Sequence, residues 1–456
     1  MLCDGDFVKS DLTQGNIFAT LLRLALPIAA SQAMQMAYNL TDMFWLGRVS
    51  SEALAATGAA GLFTWLAVGL MMVGRIGAEV GVSQARGRGD IVAAYDYSRN
   101  ALYISAVLGV AFAVFLFVFR VPLVGFFRFE EASVAADAAL YTGITAFGLP
   151  AVYITSAITG SFVASGNSRT PFLVTSGGLI LNMLLTPIMI FPLGMGVFGA
   201  AVSSVASQTV VLVISLYAIK RFRYRPFAEY RFFEGVKPLT KTTKEIFSLA
   251  LPVSLENTLW PLLTIVTTRI EASFGAIAVS ISRVGIQVES LSWLVGAGFG
   301  AALTAFVGQN FGAGEFLRIK KGVQYAAFSL IAWGAFVTLF MWFGAGAVYN
   351  LFFPHYRDYA EVRSLFITHM RILAVCQIFA NMEYVAANAF RGKGRTIPPS
   401  IASISSNMIR VPLAFFLSLT PLGVLGVWAA ISFTAGLRGV VVSVWYIFEF
   451  STRQKS

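Results

Sequence analysis

Long apolar runs, broken by short clusters of glycine, proline and charged residues, set the pattern of this chain. About 20 consecutive apolar residues suffice for a membrane-spanning helix. Twelve such runs occur: about 17–46, 53–81, 92–119, 134–163, 171–192 and 197–219, then 245–273, 277–307, 320–348, 362–390, 398–419 and 424–448. The connections are short, so little chain remains for a domain outside the bilayer. The pattern predicts an all-α integral membrane protein.

The two halves repeat one another. LALP at 24–27 recurs at 249–252, and VSQARGRGD at 82–90 recurs as VGQNFGAGE at 307–315, both displaced by 225 residues. Asn182 and Pro187 match Asn407 and Pro412 at the same displacement, and GVFG at 196–199 matches GVLG at 423–426. Equivalent residues are six spans apart, an even number, so the halves insert in one orientation and are related by an axis along the membrane normal. This predicts twelve transmembrane helices in two pseudo-symmetric six-helix lobes, 1–219 and 245–456, joined by a basic linker at 220–244. An axis of this kind puts a substrate path between the lobes.

Composition agrees: 57% of the 456 residues are hydrophobic and 12% charged, with a mean hydropathy of +0.74. The excess of 33 Lys and Arg over 22 Asp and Glu raises the question of nucleic acid, but its distribution answers it. If the N-terminus is cytoplasmic, the loops and tails on that side hold 20 Lys/Arg, eight of them in 220–244, and the opposite loops hold four, Arg48, Arg120, Arg128 and Arg357. That asymmetry favours cytoplasmic termini and needs no nucleic-acid partner. Asp4, Asp6 and Asp11, with no basic stretch before a short apolar run, argue against a signal peptide. The linker charge would favour anionic headgroups.

Several chemistries lack their residues. The two cysteines, Cys3 and Cys376, allow neither a disulfide framework nor a thiolate metal site. There is no phosphate-binding G-x-x-x-x-G-K-[ST] loop, and the only histidines are His355 and His369. Bond-making catalysis therefore ranks below movement of a solute powered by an existing gradient, and no enzyme activity and no resident cofactor are expected.

Charged groups in the bilayer interior are costly, about 2.5–3.5 kcal/mol or more each, and mark functional sites. Asp42 follows Ser31, Gln35 and Tyr38 at spacings of 4, 3 and 4, one helical face that reads as a cavity lining; the plainer alternative is a solvated residue near a span end. Span 5 carries Asn182 and Thr186 one turn apart, and span 6 carries Ser203, Ser204, Ser207 and Gln208. If spans 1, 5 and 6 meet, a carboxylate and neutral oxygens converge, a set suited to a hard monovalent cation or a proton. Ser203 and Ser207 read rather as hydroxyls that bind helices together. In the second half, Glu271 and Glu289 are expected in charge pairs with Arg269 and Arg283. Glu256 and Glu383 have no cation at helical spacing and are cavity candidates.

At this point the residues resemble the multidrug and toxic compound extrusion (MATE) family. The resemblance rests on LALP in each half, NLTDMFWLG at 39–47 followed by SSEALAATG, VSQARGRGD and VGQNFGAGE, ASGNSRTP at 164–171 and FRGKGRTIP at 390–398, in that order across nearly the whole chain. It implies a plasma-membrane antiporter, acting as a monomer among membrane lipids, that exports organic cations and drugs in exchange for Na+ or H+. By position, Asp42, Asn182 and Ser204 resemble the family's amino-lobe cation site, Gln35 and Tyr38 resemble residues of its drug cavity, and Pro27 lies where span 1 is proposed to bend. Two departures stand out. NMLLTP at 182–187 puts Thr186 where some members carry an aspartate, leaving one carboxylate in the set Asp42, Asn182, Thr186 and Ser204, with Asp42 and Asn182 as ligands if the ion is Na+. Glu256 and Glu383 sit about one turn from the carboxyl-lobe acids of other branches. The alternative is a flippase for lipid-linked oligosaccharides, whose diphosphate would need cations such as Arg75, Arg269, Arg283, Arg410 and Arg438.

Overall fold

The computed structural model describes residues 11–129, 131–221, 241–354 and 359–453. Thirteen helices and no strand occur among them: α1 (Ile17–Val49), α2 (Ser51–Gly87), α3 (Ile91–Gly125), α4 (Ala132–Ala146), α5 (Leu149–Ala164), α6 (Arg169–Ile190), α7 (Gly196–Arg221), α8 (Lys241–Ala272), α9 (Ala276–Gly312), α10 (Phe316–Phe352), α11 (Ala360–Gly392), α12 (Ile397–Ser418) and α13 (Val424–Arg453). Eleven are long and apolar enough to cross a bilayer, and α4 with α5 forms a twelfth span bent by 46°. The single helix expected over 134–163 is thus corrected to two. Phe147 and Gly148 close α4 with bonds to Ile144 and Thr145, three residues back, and Pro150 in the first turn of α5 has no N–H to continue the ladder. Most of the linker predicted at 220–244, residues 222–240, lies outside the described residues, as does His355.

The helix ends follow from local chemistry. Asn16, Ser50 and Asp90 accept from the amides of Ala19, Ala53 and Ala93 and so cap α1, α2 and α3. The duplicated motif builds the same turn twice. Gly89 and Gly314 hold φ of 73° and 78°, a conformation glycine adopts without penalty. The next residue then bonds back around the turn, Asp90 to the Ala85 carbonyl at 2.9 Å and Glu315 to that of Asn310 at 2.8 Å, a Schellman closure.

The two halves of the chain, α1–α7 and α8–α13, are joined by α1 packed on α9 and α2 packed on α8 and α9. The tightest approach is where α2 and α9 finish. Gly87 lies on the backbone carbonyl of Gln309 and Gly312 on that of Gln84. The Gln84 amide donates to Gly392 O at 2.9 Å and the Gln309 amide to Ala164 O at 2.7 Å. One apolar cluster crosses the seam there, with Leu12, Leu21, Leu24 and Val163 against Leu303, Phe306 and Phe390. Farther along, Ser254 donates to Gly69 O at 2.7 Å, and the rings of Trp65 and Trp260 stack with centroids 6.0 Å apart. The lobes are therefore sealed at the end where the basic clusters 86–88, 318–321 and 391–395 lie. Large apolar side chains such as Phe115, Val118, Phe343 and Phe448 are exposed on the outside of the bundle, where a bilayer would cover them.

Candidate functional site

The amino-lobe pocket is built on α1, α6 and α7, which pack on one another. The α1 register 35–38–42 turns one face toward that junction. Tyr38 Oη lies 3.5 Å from Ser204 Oγ of α7, and Asn182 of α6 donates to the same hydroxyl at 3.3 Å. Thr186, one turn beyond Asn182, donates to Asn182 Oδ1 at 3.0 Å and lies 2.8 Å from Ser203 Oγ. Ser203 and Ser204 can also donate to Ala200 O in the preceding turn. Asn182, Thr186, Ser203 and Ser204 are all buried, so this chain of hydroxyls and amide is held away from lipid by its own bonds.

Asp42 stands one turn beyond Tyr38 and close enough to act electrostatically on it and on Tyr141 of α4. Its Oδ1 atom is buried and has no hydrogen-bond partner among the described residues. A buried carboxylate oxygen without a donor is a large cost. Through Tyr38 the acid adjoins the chain of Ser204, Asn182 and Thr186, whose amide and hydroxyl oxygens are hard neutral donors of the kind that suit Na+ or a proton. Spans 1, 5 and 6 meet, the condition on which the sequence reading depended, and Tyr38, Asn182, Thr186 and Ser204 share one bonded set. Gln35 is exposed and bonds along α1 to Asn39 Oδ1 at 3.2 Å. Tyr141, absent from the sequence candidates, packs against Leu46, Ile190 and Ala200 of α1, α6 and α7.

The other acids lie elsewhere. Glu256 of α8 meets Arg391 of α11 at 3.2 Å and accepts from Ser400 of α12 at 3.1 Å. Glu383 of α11 pairs with Arg438 of α13 at 2.6 Å, and Arg438 also reaches Ser403. Both acids thus have cationic partners, supplied from other helices rather than at helical spacing along their own. Glu289 accepts from the Gln377 amide at 3.2 Å and not from Arg283; six residues turn a helix by about 600°, which puts those two on different faces. Arg410 donates to Thr434 at 2.9 Å. Glu79 of α2, overlooked in the sequence, is buried with Arg75 at 4.0 Å; its i, i+4 spacing from Arg75 was the available signal.

Pro27 sits inside a continuous α1. Lacking an N–H, it leaves the Arg23 carbonyl without its intrahelical donor, and Ser168, at the start of α6, donates to that carbonyl at 3.4 Å.

A family model described as MatE matches residues 27–188 and 252–416, one segment in each lobe. A probable multidrug resistance protein NorM of Thermotoga maritima is 28% identical over 422 residues, covering 90% of this chain and 87% of its own. The multidrug resistance protein NorM of Burkholderia vietnamiensis is 26% identical, covering 94% and 93%. Among solved structures, a MATE crystallised in the straight conformation superposes with a TM-score of 0.90 at 22% identity, covering 98% of this chain and all of that one. An outward-facing multidrug resistance MATE transporter of the MOP superfamily gives 0.89 at 21%, with the same coverage. These structures match the two-lobe fold.

Proposed function

The chain belongs to the MATE family, and on that premise we propose that it is a secondary antiporter exporting lipophilic organic cations and drugs in exchange for Na+ or H+. The observation that carries this reading is the buried, donorless Oδ1 of Asp42 beside a bonded set of neutral oxygens. A cation or a proton supplies what that oxygen lacks, and an organic cation and the coupling ion would compete for it. Competition couples the two fluxes if their relative affinities differ between the two states of the lobes. Tyr38 and Tyr141 offer ring faces and phenolic oxygens beside the acid, and an aromatic face attracts a desolvated cation.

The residues divide the work simply. Asp42 carries the charge that both ligands seek. Thr186 orients Asn182 Oδ1 and so fixes which way its amide points, while Ser204 links α7 to both α1 and α6. The protein would act without a resident cofactor and without bond-making catalysis, in the plasma membrane with both termini cytoplasmic, as a monomer. The flippase reading has less support. Of the arginines that could hold a diphosphate, Arg438 is paired with Glu383 and Arg410 is buried on Thr434.

The test is flux of a fluorescent organic cation in reconstituted vesicles under a Na+ gradient or a pH gradient imposed separately. One gradient should drive wild-type flux. Asp42→Asn keeps the shape and removes the charge, and loss of a charge-assisted contact of about 1.5–3 kcal/mol should cut flux about 10- to 100-fold. Wild-type flux from Asp42→Asn under the same gradient would end the proposal.

A further inference from the structure

The chain before α1 does not pack with its own lobe alone. Residues 11–16 run across the ends of α9 and α10, which belong to the other lobe. Leu12 is almost fully buried in the cluster that crosses the seam. Its N–H donates to Gln309 Oε1 at 3.1 Å, and its carbonyl accepts from Asn310 Nδ2 at 3.1 Å and Arg318 Nε at 3.3 Å. The same guanidinium donates to Gln14 O at 2.6 Å and Gly15 O at 2.9 Å. One side chain of the carboxyl lobe thereby holds three backbone carbonyls of the strap that precedes α1, those of Leu12, Gln14 and Gly15. Arg318 itself stands over the Phe306 ring at 5.6 Å, which fixes its fork.

The last residue of the strap, Asn16, caps α1, so the strap is tied to the amino lobe within one residue of its last bond to Arg318. Gln309 doubles the tie: it accepts from Leu12 and donates to Ala164 O at the end of α5. Separation of the lobes at this end pulls α1 and α5 away from α9 and α10. It must then either withdraw Leu12 and break the Arg318 bonds, or tear the strap from α1.

We propose that residues 11–16 are an inter-lobe latch, locked by Arg318, that holds the two lobes closed at the basic end and must release before they part there. Hydrogen bonds from a charged donor are about twice as strong as neutral ones, and three of them reach carbonyls within residues 12–15. The latch rests on the two-lobe architecture and is independent of what is transported.

The test reads opening directly. In a background with Cys3→Ser and Cys376→Ser, Ser83→Cys places a thiol on α2 against Gly308 of α9, a fully buried position at the seam. A membrane-impermeant sulfonated methanethiosulfonate reaches it only when the lobes part at this end, so the labelling rate tracks the open population when opening is fast relative to reaction. Arg318→Ala should raise that rate about tenfold or more, a shift of about 1.4 kcal/mol per decade. Arg318→Lys, which keeps charge but loses the planar fork, should raise it less. Lys321→Ala, exposed on the next turn of α10, should leave it unchanged. If Arg318→Ala does not fold, Leu12→Ala carries the same expectation, because it removes the plug and keeps the backbone bonds. A labelling rate within about twofold of the parent in the folded Arg318 or Leu12 variant overturns the latch. Because no transport is measured, that result would leave the antiport reading untouched.

Discussion

Gly87→Ala and Gly312→Ala should open the seam between the lobes, singly to a similar extent and together by no more than one of them. The two contacts are images of each other across the internal repeat: Gly87 faces the Gln309 carbonyl, and 225 residues later Gly312 faces that of Gln84. A Cβ at either site overlaps that oxygen and comes within 2.8 Å of Gln309 C or 3.1 Å of Gln84 C, respectively. These are backbone atoms of a neighbouring helix end, with no flexible tip to swing aside, so α2 and α9 must move apart by about 1.5 Å to reach ordinary contact. Overpacking of this kind costs about 1–3 kcal/mol. Both glycines are the last residues of their helices, so the gain of up to about 1 kcal/mol from alanine's helix preference is only partly realised. A net shift of about 1–2 kcal/mol changes the ratio of closed to open forms about 5- to 30-fold. Both substitutions push the same two helices along the same direction, so the gap made by the first accommodates the second, and the free energies should not add. Spin labels at Val92 and Lys321, exposed residues at this end of the two lobes, would report the distance distribution in a cysteine-free background. An unchanged distribution in either single variant, or a double variant whose shift is the sum of the two, would refute the reasoning.

Thr186→Val should lower stability by about 1–2 kcal/mol, because it strips Asn182 Oδ1 of its donor and gives the amino lobe the residue that its repeat mate, Val411, already has; an unchanged melting temperature in detergent would count against the bonded pocket. Glu383→Gln leaves Arg438 without its carboxylate and should cost about 3–5 kcal/mol, most of it recovered in Glu383→Gln with Arg438→Met; thermal unfolding of the three variants decides, and no recovery in the double variant contradicts the pairing. Ser168→Ala should destabilise wild type by about 1 kcal/mol but not a Pro27→Ala protein, in which residue 27 supplies its own N–H to the Arg23 carbonyl; equal losses in the two backgrounds would break that link.

The span pattern was readable because a bilayer demands long apolar runs, and the repeat was readable because duplicated turns need duplicated glycines, as Gly89 and Gly314 do. The break in span 4 had a signal, the FGLP at 147–150, but apolarity continues across it, so hydropathy alone joins the two pieces. Asp42, Asn182, Thr186 and Ser204 were candidates by residue type and by resemblance, while Tyr141 was not, since no spacing rule along α1, α6 or α7 reaches a residue of α4. The partners of Glu256 and Glu383 lie 135 and 55 residues away, beyond any spacing rule along one helix. The strap at 11–16 carries no motif at all; its role depends on carbonyl groups, which every residue has.

The bend between α4 and α5 has no counterpart in the other lobe, where α11 runs unbroken for 33 residues from Ala360 to Gly392. Duplication provided two copies of one scaffold, and only one copy acquired a joint. The jointed copy is the one that holds a carboxylate oxygen without a donor, Asp42 Oδ1, and the unbroken copy is the one whose acids Glu256 and Glu383 are already matched by arginines. Twin halves have thus diverged in kind: one carries a jointed span and a carboxylate oxygen left unmatched, the other an unbroken span and acids already spoken for.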